Sequence, residues 1–212
     1  MDIEYWAARW KEGRIGFHEG RTNAFLAKHV GRLGEKRRVL VPLCGKAEDM
    51  AFLAARGHEV VGVEAVEDAV EAFFAEHALE PQVDDLREGV RAYAAGGVRI
   101  LAANFFACTR NDLGPVDALY DRAAIVALPP ETRRRYVAHL RELLPAGAPG
   151  LVVTFEYAQS QLEGPPFAVL EDELRALWAD SRVAAIDEAP TDGPRFREAG
   201  VALKERCYAI ER

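Results

Sequence analysis

The stretch VLVPLCGKAEDM, Val39 to Met50, decides how the rest of the chain is read. VLVP is a continuous apolar run, as expected of a strand buried on both faces of a parallel sheet. A single glycine, Gly45, follows, and from Ala47 the apolar residues recur at helical spacing. A strand–turn–helix of this kind is where α/β proteins cradle nucleotides. A dinucleotide fingerprint would need three glycines here, and a phosphate loop would need Gly-Lys-Ser/Thr. This chain offers only Gly45, Lys46 and Ala47.

Working outward, residues 4–12 predict a short helix, and Asn23 a capped helix ending near Gly31. The stretches 37–42, 58–64, 98–104, 116–121 and 150–157 read as strands. Helices are expected at 47–56, 66–78, 130–144 and 170–180, with Pro130 at a helix start. Residues 182–189 and 201–211 close the chain as a pair of strands with no helix between them, which suggests an antiparallel hairpin with a long connection. Strands alternating with helices imply βαβ units and a mostly parallel sheet. In such sheets ligands bind beyond the carboxyl ends of the strands. That places Pro42–Lys46, Glu64, Asn104–Phe106, Asp121–Arg122 and Glu156–Tyr157 at the candidate site.

Composition narrows the function classes. The chain has 212 residues, 50% of them apolar and 29% charged, enough for one domain with a full core. A formal charge of -7 argues against nucleic acid as the main partner. The run Arg133–Arg135 reads as a solvated helix face. No stretch approaches a membrane span, and MDIEYW does not resemble a signal peptide, so a cytoplasmic protein is expected. The three cysteines, Cys44, Cys108 and Cys207, have neither disulfide-framework nor CxxC metal spacing. No metal site and no partner subunit are implied, so a monomer is expected.

Glu64 stands 19 residues after Gly45, at the end of the second strand. A carboxylate there can accept hydrogen bonds from both ribose hydroxyls of a nucleoside. With no glycine-rich pyrophosphate cradle, a nucleoside without phosphates, such as S-adenosyl-L-methionine, suits the site better than NAD. Spacing alone leaves a plainer reading open, in which Gly45 permits a tight turn and Glu64 is an exposed strand-end charge. Trp6 and Trp10 share one face of a helix. Pattern alone favours their packing on the core, although with Phe17 they could flap over a cationic ligand. Arg122 is either a structural salt-bridge partner or a contact for an anionic group. The GPPF turn at 164–167 could wall a site, and one of its X–Pro bonds could be cis.

Five segments are similar to the thiopurine S-methyltransferase family, most closely to its bacterial branch. They are YWAARWKEGRIGFHEG, VLVPLCGKAEDMAFLAARGHEVVGVE, the NFF of LAANFF, YDRAAIVALPPETRRRY and LVVTFEYAQSQLEGPPF. The resemblance implies a class I S-adenosylmethionine-dependent methyltransferase fold, Rossmann-like. That fold has a seven-stranded, mostly parallel sheet with helices on both faces and an antiparallel last strand. It implies a single domain over 1–212, with residues 1–31 as a helical cap over the cofactor. S-adenosyl-L-methionine would be the cofactor and S-adenosyl-L-homocysteine the product.

By the same resemblance, Trp6, Trp10, Phe17, Leu43, Gly45, Glu64, Asn104, Phe105 and Arg122 would contact the cofactor. Phe17 would also border the substrate, and Arg122 and Arg195 would serve the reaction. Asn104 departs from the aspartate common in bacterial members; it keeps a hydrogen bond to adenine and loses a charge. The implied acceptor is a small-molecule thiolate or another chalcogen. Selenium or tellurium species, small aliphatic thiols, a binding module without catalysis and an NAD-dependent oxidoreductase are the rival readings.

Overall fold

The computed structural model describes residues 3–14 and 18–212. The chain divides into two compact units, Met1–Ala118 and Leu119–Arg212. The first unit begins with α1 (Ile3–Lys11) and α2 (Ala24–His29). Asn23 caps α2 as expected, its side chain accepting the Phe25 and Leu26 amides. β1 (Arg38–Pro42), α3 (Glu48–Ala55), β2 (Glu59–Glu64) and α4 (Glu67–Glu76) follow. Next come β3 (Gln82–Arg87), β4 (Val90–Ala95), β5 (Val98–Ala103) and the short α5 (Arg110–Leu113).

β1 pairs parallel with β2, and β2 parallel with β5. The apolar runs of these strands are buried, and Met50, Leu53, Val70, Phe73 and Phe74 of α3 and α4 are buried with them. Parallel neighbours put the carboxyl ends of β1, β2 and β5 at one end of the unit. Residues 43–46, Glu64 and Asn104 therefore emerge together.

The second unit holds all of β6 (Ala118–Arg122) but its first residue, then α6 (Ala124–Ala127), α7 (Pro130–Leu143) and β7 (Pro149–Glu156). It continues with α8 (Glu171–Leu177), β8 (Arg182–Thr191), α9 (Pro194–Glu198) and β9 (Leu203–Glu211). β6 and β7 run parallel, whereas β9 runs antiparallel to both β7 and β8. The antiparallel closing pair is as expected, but its connection is not free of helix: the short α9, started by Pro194 in its first turn, lies inside it. No helix among the described residues is long and apolar enough to cross a membrane.

The α/β class with a mostly parallel sheet holds, but the strand count does not. The described residues contain nine strands rather than seven. The two additional ones, β3 and β4, form an antiparallel hairpin that continues onto β5. β3 was hidden because all six of its residues are exposed, so it lacks the apolar alternation that marks a strand. The β4–β5 turn did leave a signal in Gly96–Gly97. Both have positive φ, 60° and 81°, the conformation a two-residue hairpin turn demands.

A second correction concerns the arginine run. Arg134 and Arg135 are exposed, but Arg133 is completely buried. Its Nε donates to the carbonyls of Ile125 and Leu128, and Nη1 to Glu173 at 2.6 Å. It therefore satisfies the carbonyl end of α6 and ties α7 to α8. Helical periodicity placed it beside Tyr136, Val137 and Leu140 on the inner face, a position that its charge had masked.

The added hairpin is anchored by charge. Arg87 of β3 grips Asp112 of α5 through two bonds of 3.0 and 2.8 Å. Asp112 also closes a capping box with Thr109. The Arg87 guanidinium holds the Asp112 carboxyl down at about 2. A depressed acid stabilises the fold above its ordinary range and loses that contribution as pH falls through the folded value. Arg87→Met should therefore lower stability at neutral pH. In urea melts, its deficit relative to wild type should shrink as pH is lowered from about 4 toward about 2. A deficit that stays constant over that range would show that the pair contributes nothing through its charge.

Candidate cofactor and active site

At the end of β1 the chain turns through two residues of positive φ, Leu43 at 47° and Gly45 at 51°. Such a conformation costs a non-glycine residue about 1 kcal/mol or more. For Leu43 it is sustained by the hydrogen bonds around it, including Cys44 N–H to the Val63 carbonyl at 3.1 Å. Gly45 is glycine for a second reason. A Cβ there would lie 3.0 Å from Cζ2 of Trp10. The indole of Trp10 thus rests on the loop, which puts α1 against the expected cofactor position.

Glu64 is buried, with 8% of its surface exposed. One carboxylate oxygen accepts the Gly45 amide at 2.9 Å and the other accepts the Val66 amide at 2.9 Å. The plainer reading, an exposed strand-end charge, is therefore excluded. Burial raises the Glu64 pKa, while hydrogen bonds from Val66, Gly45 and Ala65 lower it. A carboxylate offers about four lone-pair sites, so acceptor capacity remains for hydroxyl donors. The same burial, with the nearby Glu64 charge, holds the Cys44 thiol well above its usual range and makes it inert.

At the end of β5, Asn104 is exposed and its Oδ1 caps the turn at Phe105–Ala107 by accepting the Phe106 amide. Phe105 is fully buried, so its ring forms floor rather than an open stacking face. Phe106, half-buried, meets it edge-on at 5.9 Å. Trp6 is half-buried on α1. Phe17 lies outside the described residues. Beside the loop, ligand atoms of His18, Glu48 and Glu76 all lie within 4.8 Å of one another. Lys46 is ion-paired with Glu76, and His77 shares a hydrogen bond with Glu48, so both carboxylates already have partners.

In the second unit, Arg122 ends β6, half-buried. Its chain neighbour Asp121 is buried and accepts the Ile125 amide at 3.1 Å and the Tyr136 hydroxyl at 2.8 Å. Arg195, on α9, spends its guanidinium on the carbonyls of Pro165 and Glu163. Tyr157 donates to the Pro166 carbonyl at 2.6 Å, and Phe167 N–H reaches the Val126 carbonyl. Both X–Pro bonds of the turn, Gly164–Pro165 and Pro165–Pro166, are cis. Prolines cannot donate, so the turn is held by outside donors to its carbonyls and by the amide of Phe167.

Periodicity and spacing found the glutamate and the loop glycine, and they missed the groups that hold them. The partners of Glu64 are backbone amides, which carry no sequence signature. Asp121 did carry one, a carboxylate closing the otherwise apolar strand ALYD.

Glu64 lends itself to a direct test. Glu64→Gln keeps one acceptor oxygen and orphans one backbone amide. It should weaken S-adenosyl-L-homocysteine binding about 10–100-fold by titration calorimetry, and Glu64→Ala should weaken it further. Wild-type affinity in Glu64→Ala would remove this residue from the cofactor site.

Similarity to known proteins fits this geometry. The model of the thiopurine S-methyltransferase family matches residues 1–212. The thiopurine S-methyltransferase of Pseudomonas aeruginosa strain UCBPP-PA14 is 45% identical over 220 residues, covering 100% of each chain. A solved S-adenosylmethionine-dependent methyltransferase from Anabaena variabilis shares the fold at a TM-score of 0.68 and 11% identity, over 100% of this chain and 95% of that one. The 1,6-didemethyltoxoflavin-N1-methyltransferase of Burkholderia thailandensis, solved with S-adenosylhomocysteine bound, does so at a TM-score of 0.62 and 19% identity, over 98% and 86%. At such low identities these structures speak to the fold alone. The full-length match and the high identity to named relatives settle the lineage: the chain belongs to the thiopurine S-methyltransferase family.

Proposed function

We propose that this protein methylates the sulfur of a small-molecule thiolate, with S-adenosyl-L-methionine as methyl donor. The observation that carries the reading is the buried Glu64 carboxylate, bonded to the Gly45 and Val66 amides beneath Trp10. It offers acceptors to a ribose and no cradle to a pyrophosphate, as a phosphate-free nucleoside cofactor requires. Residues 1–212 are read as one methyltransferase domain, since the family match spans them all. The protein is read as a cytoplasmic monomer that acts without nucleic acid.

Bound S-adenosyl-L-methionine would supply a methyl group activated by its sulfonium, open to displacement by an anionic sulfur. The chain's own residues have simpler tasks. Glu64 orients the ribose, while Leu43 and Gly45 shape the loop. Asn104 hydrogen-bonds the adenine edge over the floor formed by Phe105. Trp6, Trp10 and Phe17 cover the cofactor and keep water out, which strengthens every charge interaction inside. Arg122 favours the anionic form of the acceptor by charge proximity and, by pairing with that anion, orients it toward the methyl group. Arg195 serves the acceptor side by holding the 163–167 turn. Thiols that ionise near neutral pH need no strong general base, so orientation supplies most of the rate.

The decisive assay is methyl transfer from S-adenosyl-L-methionine to thiopurines, aromatic thiols, aliphatic thiols and selenium or tellurium species. Turnover should be highest with aromatic thiols and thiopurines. Folded protein that binds S-adenosyl-L-homocysteine and methylates none of them would refute the enzymatic reading. Arg122→Ala should lose about tenfold or more in turnover, with the larger loss at low pH, where thiolate is scarce. An unchanged pH profile would remove Arg122 from acceptor activation.

A further inference from the structure

We propose that Asp121 is a positioning residue for this reaction: its carboxylate clamps the β6–α6 turn and thereby aims Arg122, touching neither ligand itself. This rests on the assignment of Arg122 to the acceptor. β6 passes into α6 through one residue, Ala123, held at φ 70° and ψ -14°. That left-handed conformation is unfavourable for alanine. Something must hold it, and the Asp121 side chain is bonded across the turn, accepting the Ile125 amide at 3.1 Å. The second carboxylate oxygen takes the Tyr136 hydroxyl at 2.8 Å, which fastens the same turn to α7. Successive strand residues point to opposite faces. Asp121 therefore faces the interior, and Arg122 leaves the strand on the other side at its very end. The register of β6 against β7, with Arg122 opposite Val153, fixes the strand up to that residue. The direction taken beyond it depends on Ala123.

The clamp works only in one protonation state. The groups facing Asp121 are the Ile125 and Ala124 amides of α6 and the Tyr136 hydroxyl of α7, all of them donors. An ionised carboxylate accepts from all of them. A protonated one must turn one oxygen into a donor and lose an acceptor position. Burial pushes the Asp121 pKa up to about 6, against the pull of those hydrogen bonds. Activity that depends on the ionised clamp therefore falls as pH drops through about 6. The Tyr136 hydroxyl favours the charged form, so its removal moves that limb to higher pH.

The test uses the full chain and 5-thio-2-nitrobenzoate, an aromatic thiol ionised across the whole range. Its own titration then cannot produce the acid limb. Asp121→Asn keeps the shape and removes the charge. It should bind S-adenosyl-L-homocysteine as wild type does, lose about 10–100-fold in kcat/KM for the thiol, and lack the acid limb. Tyr136→Phe, which keeps Asp121, should retain the limb at higher pH, so the idea remains testable even if Asp121→Asn does not fold. Ala123→Gly relieves the turn of its unfavourable conformation and should recover part of the Asp121→Asn loss. If Arg122→Ala is impaired while Asp121→Asn and Tyr136→Phe keep wild-type turnover and an unmoved acid limb, the positioning role fails alone. If Arg122→Ala is fully active, the assignment of Arg122 fails and this proposal falls with it.

Discussion

A carboxylate buried at the end of a parallel strand is costly unless donors surround it. Glu64 meets that condition with backbone amides from both sides, Gly45 from the loop after β1 and Val66 from the start of α4. Much of the first unit's working end depends on this arrangement. The loop is drawn into its left-handed turns, Trp10 finds a flat surface at Gly45, and α4 starts at a defined point. Because its spare lone pairs are the acceptors expected of a ribose site, the group that builds the loop is also the one that would recognise the ligand. On the proposed function, stability and binding would share one side chain, a reason for a glutamate where an apolar residue would pack more cheaply.

The second unit uses the same principle with different chemistry. Asp121 holds a strained turn through an amide and a phenol, and Arg133, fully buried, closes the carbonyl end of α6 and reaches α8. Arg195 and Tyr157 hold a turn whose prolines have no donors of their own. In each case a polar side chain meets backbone groups that regular secondary structure leaves unpaired, at the ends of strands and helices. Those ends are also where α/β proteins bind ligands, so the structural bonds and the candidate functional residues lie side by side in the sequence.

Legibility followed the physics of each signal. The buried parallel strands were plain because burial on both faces demands unbroken apolar runs, as in VLV, VVGV and LVVTF. Asn23, Pro130 and the closing hairpin were plain because caps and turns carry local chemistry. β3 was invisible because an exposed edge strand has no buried face to pattern, although Gly96–Gly97 marked the turn that follows β4. Arg133 reads as a surface residue by its charge, although its helical period puts it on the buried face of α7. At the site, Gly45 and Glu64 could be located by spacing, yet spacing could not tell a buried, doubly bonded glutamate from a surface charge.

The sequence by itself determined the α/β class, the order of its main elements, the absence of a pyrophosphate cradle and membership of a family through motifs spread along the whole chain. These are matters of local propensity, periodicity and composition, which short windows of residues carry. Only the tertiary structure decided that Glu64 is buried and bonded, that Trp10 rests on Gly45, that Arg195 serves a proline turn, and that Asp121 shares its charge with Ile125 and Tyr136. Each of these depends on backbone amides, carbonyls or distant side chains brought together by packing. A backbone group looks the same at every position in a sequence, and only the fold determines which of them a side chain will meet.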